Sequence, residues 1–209
     1  MLSRIPAGPA DLAALIVVAS FAAGLNVYAT VATLGLLAHA DVLHLPPALN
    51  PLTSWYVIGA AIALFLVEFF ADKIPAFDLI WNALHTFIRV PVAALIAYGA
   101  TAQLSPGKQL LATAIGGGIA LAAHGGKLAA RMAVTPSPEP LSNIGLSLGE
   151  DALAIFLSWF VALHPYIAAA VVVVAIFLVI AAMRLVIRAM RALFRGAERE
   201  INTHSAPAV

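Results

Sequence analysis

Long apolar runs separated by short polar breaks occupy most of the chain. Six apolar segments can be marked, at residues 12–38, 55–71, 77–100, 110–133, 148–163 and 166–187. A helix that crosses a membrane needs about 20 mostly apolar residues, and segments from about 17 to 25 qualify. The pattern therefore predicts an all-α protein, a polytopic membrane helical bundle with about six spans.

Two of the segments depart from this simple pattern. The first is long and has Gly24 and Asn26 near its middle, whereas the fifth is short. Glycine and asparagine in an apolar helix are typical of places where the helix is interrupted or another backbone approaches. The first and fifth segments are therefore the candidates for a bent, broken or re-entrant helix.

Composition supports the membrane prediction. Hydrophobic residues make up 63% of the 209-residue chain and charged residues 10%, against about 25% charged in typical soluble domains. The length leaves room for one integral membrane domain over residues 1–209 and for no large soluble domain. The chain contains no cysteine, so disulfides and thiol chemistry are excluded.

Arginine and lysine positions predict the orientation. The end of the last segment and the tail carry a run of arginines, namely Arg184, Arg188, Arg191, Arg195 and Arg199. Because cytoplasmic segments are enriched in such residues, we expect a basic cytoplasmic tail over residues 188–209. Six crossings then place both termini in the cytoplasm, in a bacterial inner membrane. Membrane lipids are the expected partners, and nothing beyond this tail suggests nucleic-acid binding.

The two halves of the chain resemble each other. Residues 22–30 (AAGLNVYAT) align with 122–130 (AAHGGKLAA), and residues 63–75 align with 154–165. Repeats over about residues 12–100 and 110–187, with three spans each, would be inverted relative to one another. In this interpretation Gly24, Asn26, Gly125 and Gly126 either open helices in the membrane or allow helices to pack closely.

Ionisable residues form polar faces on the predicted helices. Asp78, Asn82, His85 and Arg89 follow helical spacing along one stripe, and Glu68 and Asp72 lie one turn apart at the end of the second segment. A charged side chain at mid-bilayer costs at least about 2.5–3.5 kcal/mol, so these faces should meet other helices or water. Arg89 lies too deep to reach the membrane surface, which predicts a carboxylate partner or an anionic ligand.

A second set lies in the other half of the chain. His124, Lys127 and Arg131 share one face of the fourth segment, and Glu150 and Asp151 lie near the start of the fifth. Two roles follow for the combined set. Candidates for a proton or ion pathway are Glu68, Asp72, Asp78, His85, Glu150 and Asp151, and candidates for binding an anion or head group are Arg89, His124, Lys127 and Arg131. A purely structural ion-pair network is the alternative.

Three stretches carry a resemblance to a known family. They are ADKIPAFDLIWNALHTFIRVP at residues 71–91, LAAHGGKLAAR at 121–131 and SNIGLSLGED at 142–151, and GLNVY at 24–28 also fits. With these motifs the chain resembles the multi-pass membrane proteins grouped as domain of unknown function 4126. The chain departs from that pattern at Val90, where arginine is expected, and in TPSPEP at 135–140. The resemblance implies an integral membrane protein without an established activity.

Three classes of function remain open at this stage. A small proton-linked transporter or channel, for an anionic solute or a phosphorylated lipid, is the first hypothesis. A scaffold or assembly factor that uses the charges only for packing is the second. An intramembrane lipid-modifying enzyme is the third, although no HExxH metal motif occurs in the sequence. We expect no cofactor and no metal, and the small size is compatible with a homodimer.

Overall fold

A computed structural model describes residues 8–71, 75–134 and 140–204. In part of these ranges only the backbone is described: 75–80, 82–83, 132–134, 140–143, 193–194 and 196–204. The described chain is all-α. Its helices are α1 (Pro9–Leu25), α2 (Val27–His39), α3 (Trp55–Ala71), α4 (Pro75–Ala100), α5 (Pro106–Val134), α6 (Pro140–Leu163) and α7 (Pro165–His204), with a 3-10 helix at Pro47–Thr53 before α3.

By length and composition, two helical stretches among the described residues can cross a membrane, Ile144–Leu163 in α6 and Pro165–Ala192 in α7. A third candidate arises when the 3-10 helix and α3, which meet at 62°, are counted as one bent span. The prediction of a membrane helical protein is thus supported. The finer prediction of six spans is not, because several of the apolar helices are short or carry polar faces.

The predicted segments correspond to helices with shifted bounds. The second segment coincides with α3, and the third and fourth lie within α4 and α5. The fifth was expected to be short, but α6 begins eight residues before residue 148, at Pro140. The expectation that this segment is broken or re-entrant fails within the described residues, since α6 is one continuous helix.

The first segment is interrupted at Asn26. Its backbone adopts an extended conformation (φ −147°, ψ 106°), so α1 ends at Leu25 and α2 begins at Val27. The Asn26 side-chain oxygen accepts a hydrogen bond from the backbone N–H of Ala29 at 2.9 Å. Asparagine is a favoured N-cap because it satisfies one of the free N–H groups in the first turn. The expected helix break is therefore present, and Asn26 caps the helix that follows it.

Helices α1 and α5 pack closely and run in the same direction. A Cβ placed on Gly116 would lie 2.9 Å from Ser20 Oγ, and one placed on Gly24 would lie 2.5 Å from the carbonyl oxygen of Ala120. Moving from 20 to 24 along α1 thus matches moving from 116 to 120 along α5. Equivalent helices of an inverted repeat run in opposite directions, so the contacts do not support that relation between these two segments.

Both ends of the α1–α2 pair lie at one end of the bundle. The start of α1 shares a cavity of about 400 Å³ with Thr101 and Gln103, in the connection between α4 and α5. At the end of α2, the ring of His39 packs against Trp55 at 4.5 Å between centroids. The preceding 3-10 helix approaches this same end, because Leu49 lies against Gly99.

It follows that α1 and α2 form a hairpin with its tip at Asn26. We call this unit the α1–α2 hairpin. Residues 12–38 are therefore two antiparallel helices, which does not support the prediction of one span there. The physical reason is the break at Asn26: once the backbone turns there, α2 can return along α3 and α6, and it contacts both of these helices.

Candidate functional site

A buried ion pair lies at the centre of the bundle. The guanidinium of Arg89 on α4 donates through Nη2 to Oε1 of Glu68 on α3, and both side chains are fully buried. Nη1 of Arg89 donates to Nδ1 of His124 on α5 at 2.9 Å. We call Glu68, Thr86, Arg89 and His124 the central network. The predicted carboxylate partner of Arg89 is thus Glu68.

These contacts determine the state of His124. A guanidinium can only donate, so Nδ1 of His124 must accept and carries no hydrogen. Nε2 then bears the hydrogen of the neutral ring and donates it to Oγ1 of Thr86 at 2.7 Å. In this arrangement His124 is neutral, with its proton on Nε2, which is not the cationic form needed for direct anion binding.

His85 is fixed in the other tautomer. Its Nδ1 lies 2.7 Å from the carbonyl oxygen of Trp81, and a carbonyl only accepts, so Nδ1 must donate. Nε2 lies 3.1 Å from the hydroxyl of Tyr28, two residues after the hairpin tip at Asn26. In the neutral ring Nε2 accepts from the Tyr28 hydroxyl. This contact connects α4 with α2 close to the tip.

A second network joins α5 to α6. Oε2 of Glu150 contacts Nζ of Lys127 at 3.0 Å and Nη2 of Arg131 at 3.2 Å. Lys127 and Arg131 lie one turn apart on α5, as their spacing predicted, and both are buried. We call these three residues the α5–α6 network. One carboxylate thus pairs with two cations.

The tip of the hairpin contacts a third acid. The side-chain amide of Asn26 donates from Nδ2 to Oδ1 of Asp151 on α6 at 2.8 Å, and both residues are buried. Asp151 also lies next to the start of α2, where free N–H groups and the helix dipole favour a negative charge. The carboxylate therefore stabilises the start of α2 and also accepts from the side-chain amide of Asn26.

Nine of the predicted residues with charged or polar side chains take part in these contacts. They are Asn26, Glu68, His85, Arg89, His124, Lys127, Arg131, Glu150 and Asp151. Asp72 lies outside the described residues, and only the backbone of Asp78 is described, within α4. The remaining three predicted residues are glycines. Gly24 packs against α5, whereas Gly125 faces Met183 and Gly126 faces Val179 on α7.

The described ionic groups are balanced in number. The two networks and the hairpin tip contain three cations (Arg89, Lys127 and Arg131) and three carboxylates (Glu68, Glu150 and Asp151), of which Asp151 accepts from Asn26. A buried charge without a partner is strongly unfavourable, whereas a paired and hydrogen-bonded charge is tolerated. The balance explains how so many ionic side chains are accommodated here.

Sequence reasoning missed three contributors to this region. Tyr28 and Trp81 contact His85, and Thr86 contacts His124, yet the sequence alone assigns a role to none of the three. Tyr28 carried a usable signal, because it follows the predicted break by one half turn in GLNVY. In the part of the chain that the structure describes, no group of three or more His, Cys, Asp or Glu residues is arranged to hold a metal ion.

A family model matches the sequence of most of the chain. Domain of unknown function (DUF4126) matches residues 13–185, which include the α1–α2 hairpin and both networks. The chain belongs to this family. The resemblance seen in the sequence motifs of this DUF4126 protein is thereby confirmed. No curated protein and no solved structure matches the chain.

Proposed function

We propose that this DUF4126 protein is a small integral membrane protein that carries out proton-linked transport. The observation that supports this most is the helix break at Asn26, inside the bundle and tied to a buried carboxylate. Interrupted helices whose ends face ionic groups near mid-membrane form the substrate and ion sites of many transporters. Ionisable groups inside membrane segments are costly and commonly belong to ion paths or proton relays.

In the proposed topology the α1–α2 hairpin is re-entrant and the helices α3 to α7 cross the membrane. Irregular backbone at membrane depth is tolerated where protein or a water-filled cavity surrounds it, and residues around Asn26 are buried. Five crossings put the two termini on opposite sides. With the basic tail in the cytoplasm, the N-terminus then faces the other side, which revises the expectation of two cytoplasmic termini.

Our candidate cargo is an anionic solute or a phosphorylated lipid. Arg89, Lys127 and Arg131 are buried cations, and guanidinium groups bind carboxylate and phosphate oxygens in paired geometry. Because each cation already contacts a carboxylate, an incoming anion must replace one. Protonation of a network carboxylate would weaken its ion pair with the cation and make the cation available to the anionic cargo. Proton binding and cargo binding would thus be coupled.

Proton flux into proteoliposomes tests the proposed function. Purified protein is reconstituted with an internal pH-sensitive dye, and a potassium gradient with valinomycin drives protons inward. We expect flux above that of protein-free liposomes, and a loss of at least tenfold in Glu68→Gln. Lys108→Gln is the matched control, because Lys108 is exposed and distant from the networks. Wild-type flux equal to that of empty liposomes would refute transport of protons.

A scaffold function is the second candidate, and one observation favours it. Arg89 joins α3 to α5 through Glu68 and His124, and Glu150 joins α6 to two cations of α5. Such contacts hold helices together whether or not anything moves through them. Under this alternative, replacing a complete ion pair by apolar residues should leave the protein functional, since buried pairs can be exchanged in this way without loss of stability.

A further inference from the structure

We infer that Glu68 is the residue that takes up the proton, at its Oε2 atom, and that His124 serves as a fixed acceptor for Arg89. This inference rests on the proposed function and assigns a role to each member of the central network. It assigns different roles to two groups that both contact Arg89 and that can each accept a proton.

The two carboxylate oxygens of Glu68 differ in their hydrogen bonds. Oε1 accepts from Arg89, whereas Oε2 is buried and has no hydrogen-bond partner among the residues that the structure describes. A carboxylate offers about four lone-pair sites, so a proton can bind at Oε2 while Oε1 keeps its bond to Arg89. The step forms one O–H bond and converts the carboxylate into a neutral acid, with the proton supplied by a hydronium ion that leaves as water.

His124 differs because both of its ring nitrogens are engaged. Nδ1 accepts from Arg89 and Nε2 donates to Thr86. A second proton would need the lone pair of Nδ1, so it would have to displace the guanidinium and place two positive groups 2.9 Å apart. Like charges at such a distance in a buried site repel strongly. His124 is therefore held in the neutral form.

The charged and titratable groups around Glu68 come from several helices. Arg89 lies on α4 and contacts His124 on α5, and Tyr28 of α2 interacts electrostatically with both Glu68 and Arg89. His85 on α4 contacts the hydroxyl of Tyr28. Of these, His85 is the competing proton acceptor. Its Nε2 contacts a hydroxyl that can rotate from donor to acceptor, so the test must distinguish Glu68 from His85 as well as from His124.

Infrared difference spectroscopy of the full chain in lipid bilayers provides the test. Spectra at high and low pH are subtracted, and uptake at Glu68 gives a carbonyl stretching band of a protonated carboxylic acid. We expect this band to disappear in Glu68→Gln and to remain in Glu150→Gln. Persistence of the band in Glu68→Gln would overturn the inference, as would a pH response that depends on His124 or His85 and gives no acid band.

Isotope labelling keeps the test independent of the variants' folding. In the unmutated protein grown with glutamate labelled by ¹³C at the side-chain carboxyl group, the band should shift to lower frequency. A band that does not shift belongs to an aspartate and would overturn the inference. The infrared and flux experiments test the two proposals separately. If the band is lost in Glu68→Gln but the wild-type protein gives no flux, Glu68 is the proton site and transport is refuted. If the wild-type protein gives flux but the band is unchanged in Glu68→Gln, transport is supported and Glu68 is not the proton site.

Discussion

The amide of Asn26 donates to the carboxylate of Asp151 across 2.8 Å, and this bond attaches the tip of the α1–α2 hairpin to the middle of α6. The same asparagine caps α2 through its side-chain oxygen. One residue thus ends a helix, starts the next and positions an acid beside the break. This combination makes Asn26 the residue on which the hairpin most depends.

Replacement of Asn26 by alanine should destabilise the protein. Loss of an N-cap costs about 1 kcal/mol, and loss of a hydrogen bond to a charged group costs about 1.5–3 kcal/mol. We expect a lower melting temperature in detergent, measured by size-exclusion chromatography after heating. Asn50→Ala is the control, since Asn50 is exposed in the 3-10 helix. Equal melting temperatures of the two variants would show that the cap and the bond to Asp151 contribute little.

Gly24 should not tolerate a methyl group. Its Cβ would lie 2.5 Å from Ala120 O and 2.7 Å from Ala123 Cβ, so α1 and α5 would have to separate. Overpacking of this kind costs about 1–3 kcal/mol, and Gly24→Ala should melt earlier than wild type. Gly118→Ala on α5 is the matched control, because nothing lies within 4 Å of that position and alanine favours the helix. A Gly24→Ala protein as stable as the control would contradict the close packing.

The Glu68–Arg89 pair should show strong coupling. Removal of one member of a buried pair costs about 3–5 kcal/mol, whereas apolar replacement of both can be neutral. Glu68→Leu and Arg89→Met should each melt well below wild type, and the double variant should recover most of the loss. Additive losses would refute the coupling. If the recovered double variant conducts no protons, the pair is needed for transport; full flux would favour the scaffold function.

Membrane sidedness tests the hairpin directly. The chain contains no cysteine, so single cysteines can be placed at the exposed positions Ala10, Ala40 and Ser105. A membrane-impermeant maleimide should label all three from the same side of intact cells or sealed vesicles. A six-span topology instead places residue 10 on the side opposite to residues 40 and 105. Labelling of Ala10→Cys from that opposite side would disprove a re-entrant hairpin.

Helix positions could be predicted from the sequence because they depend on local properties. The apolar run at 55–71 coincides with α3, and the ends of α4 and α5 lie close to the predicted ones. The pairing of Arg89 with a carboxylate also followed from its depth, since an isolated charge there is too costly. Helical spacing placed Lys127 and Arg131 on one face, where both now contact Glu150.

The direction of α2 could not be predicted in this way. The residues after Asn26 are equally hydrophobic whether the chain continues across the membrane or turns back. The hydrophobic pattern alone therefore predicts a single span for the first segment. The return depends on tertiary contacts such as Gly35 against Ile58 and His39 against Trp55. Similarly, the hydrogen-bond roles of His85 and His124 depend on atoms of Trp81, Tyr28 and Thr86 that spacing does not reveal.

The hairpin also constrains the order in which this protein can be assembled. Helix α1 precedes every other described helix in the chain, yet apart from α2 its contacts are with α4, α5, α6 and α7. Chains usually acquire structure from the N-terminus as they are synthesised, but here the earliest segment must wait for the latest. The α1–α2 pair can therefore complete its packing only after α4 to α7 are in place.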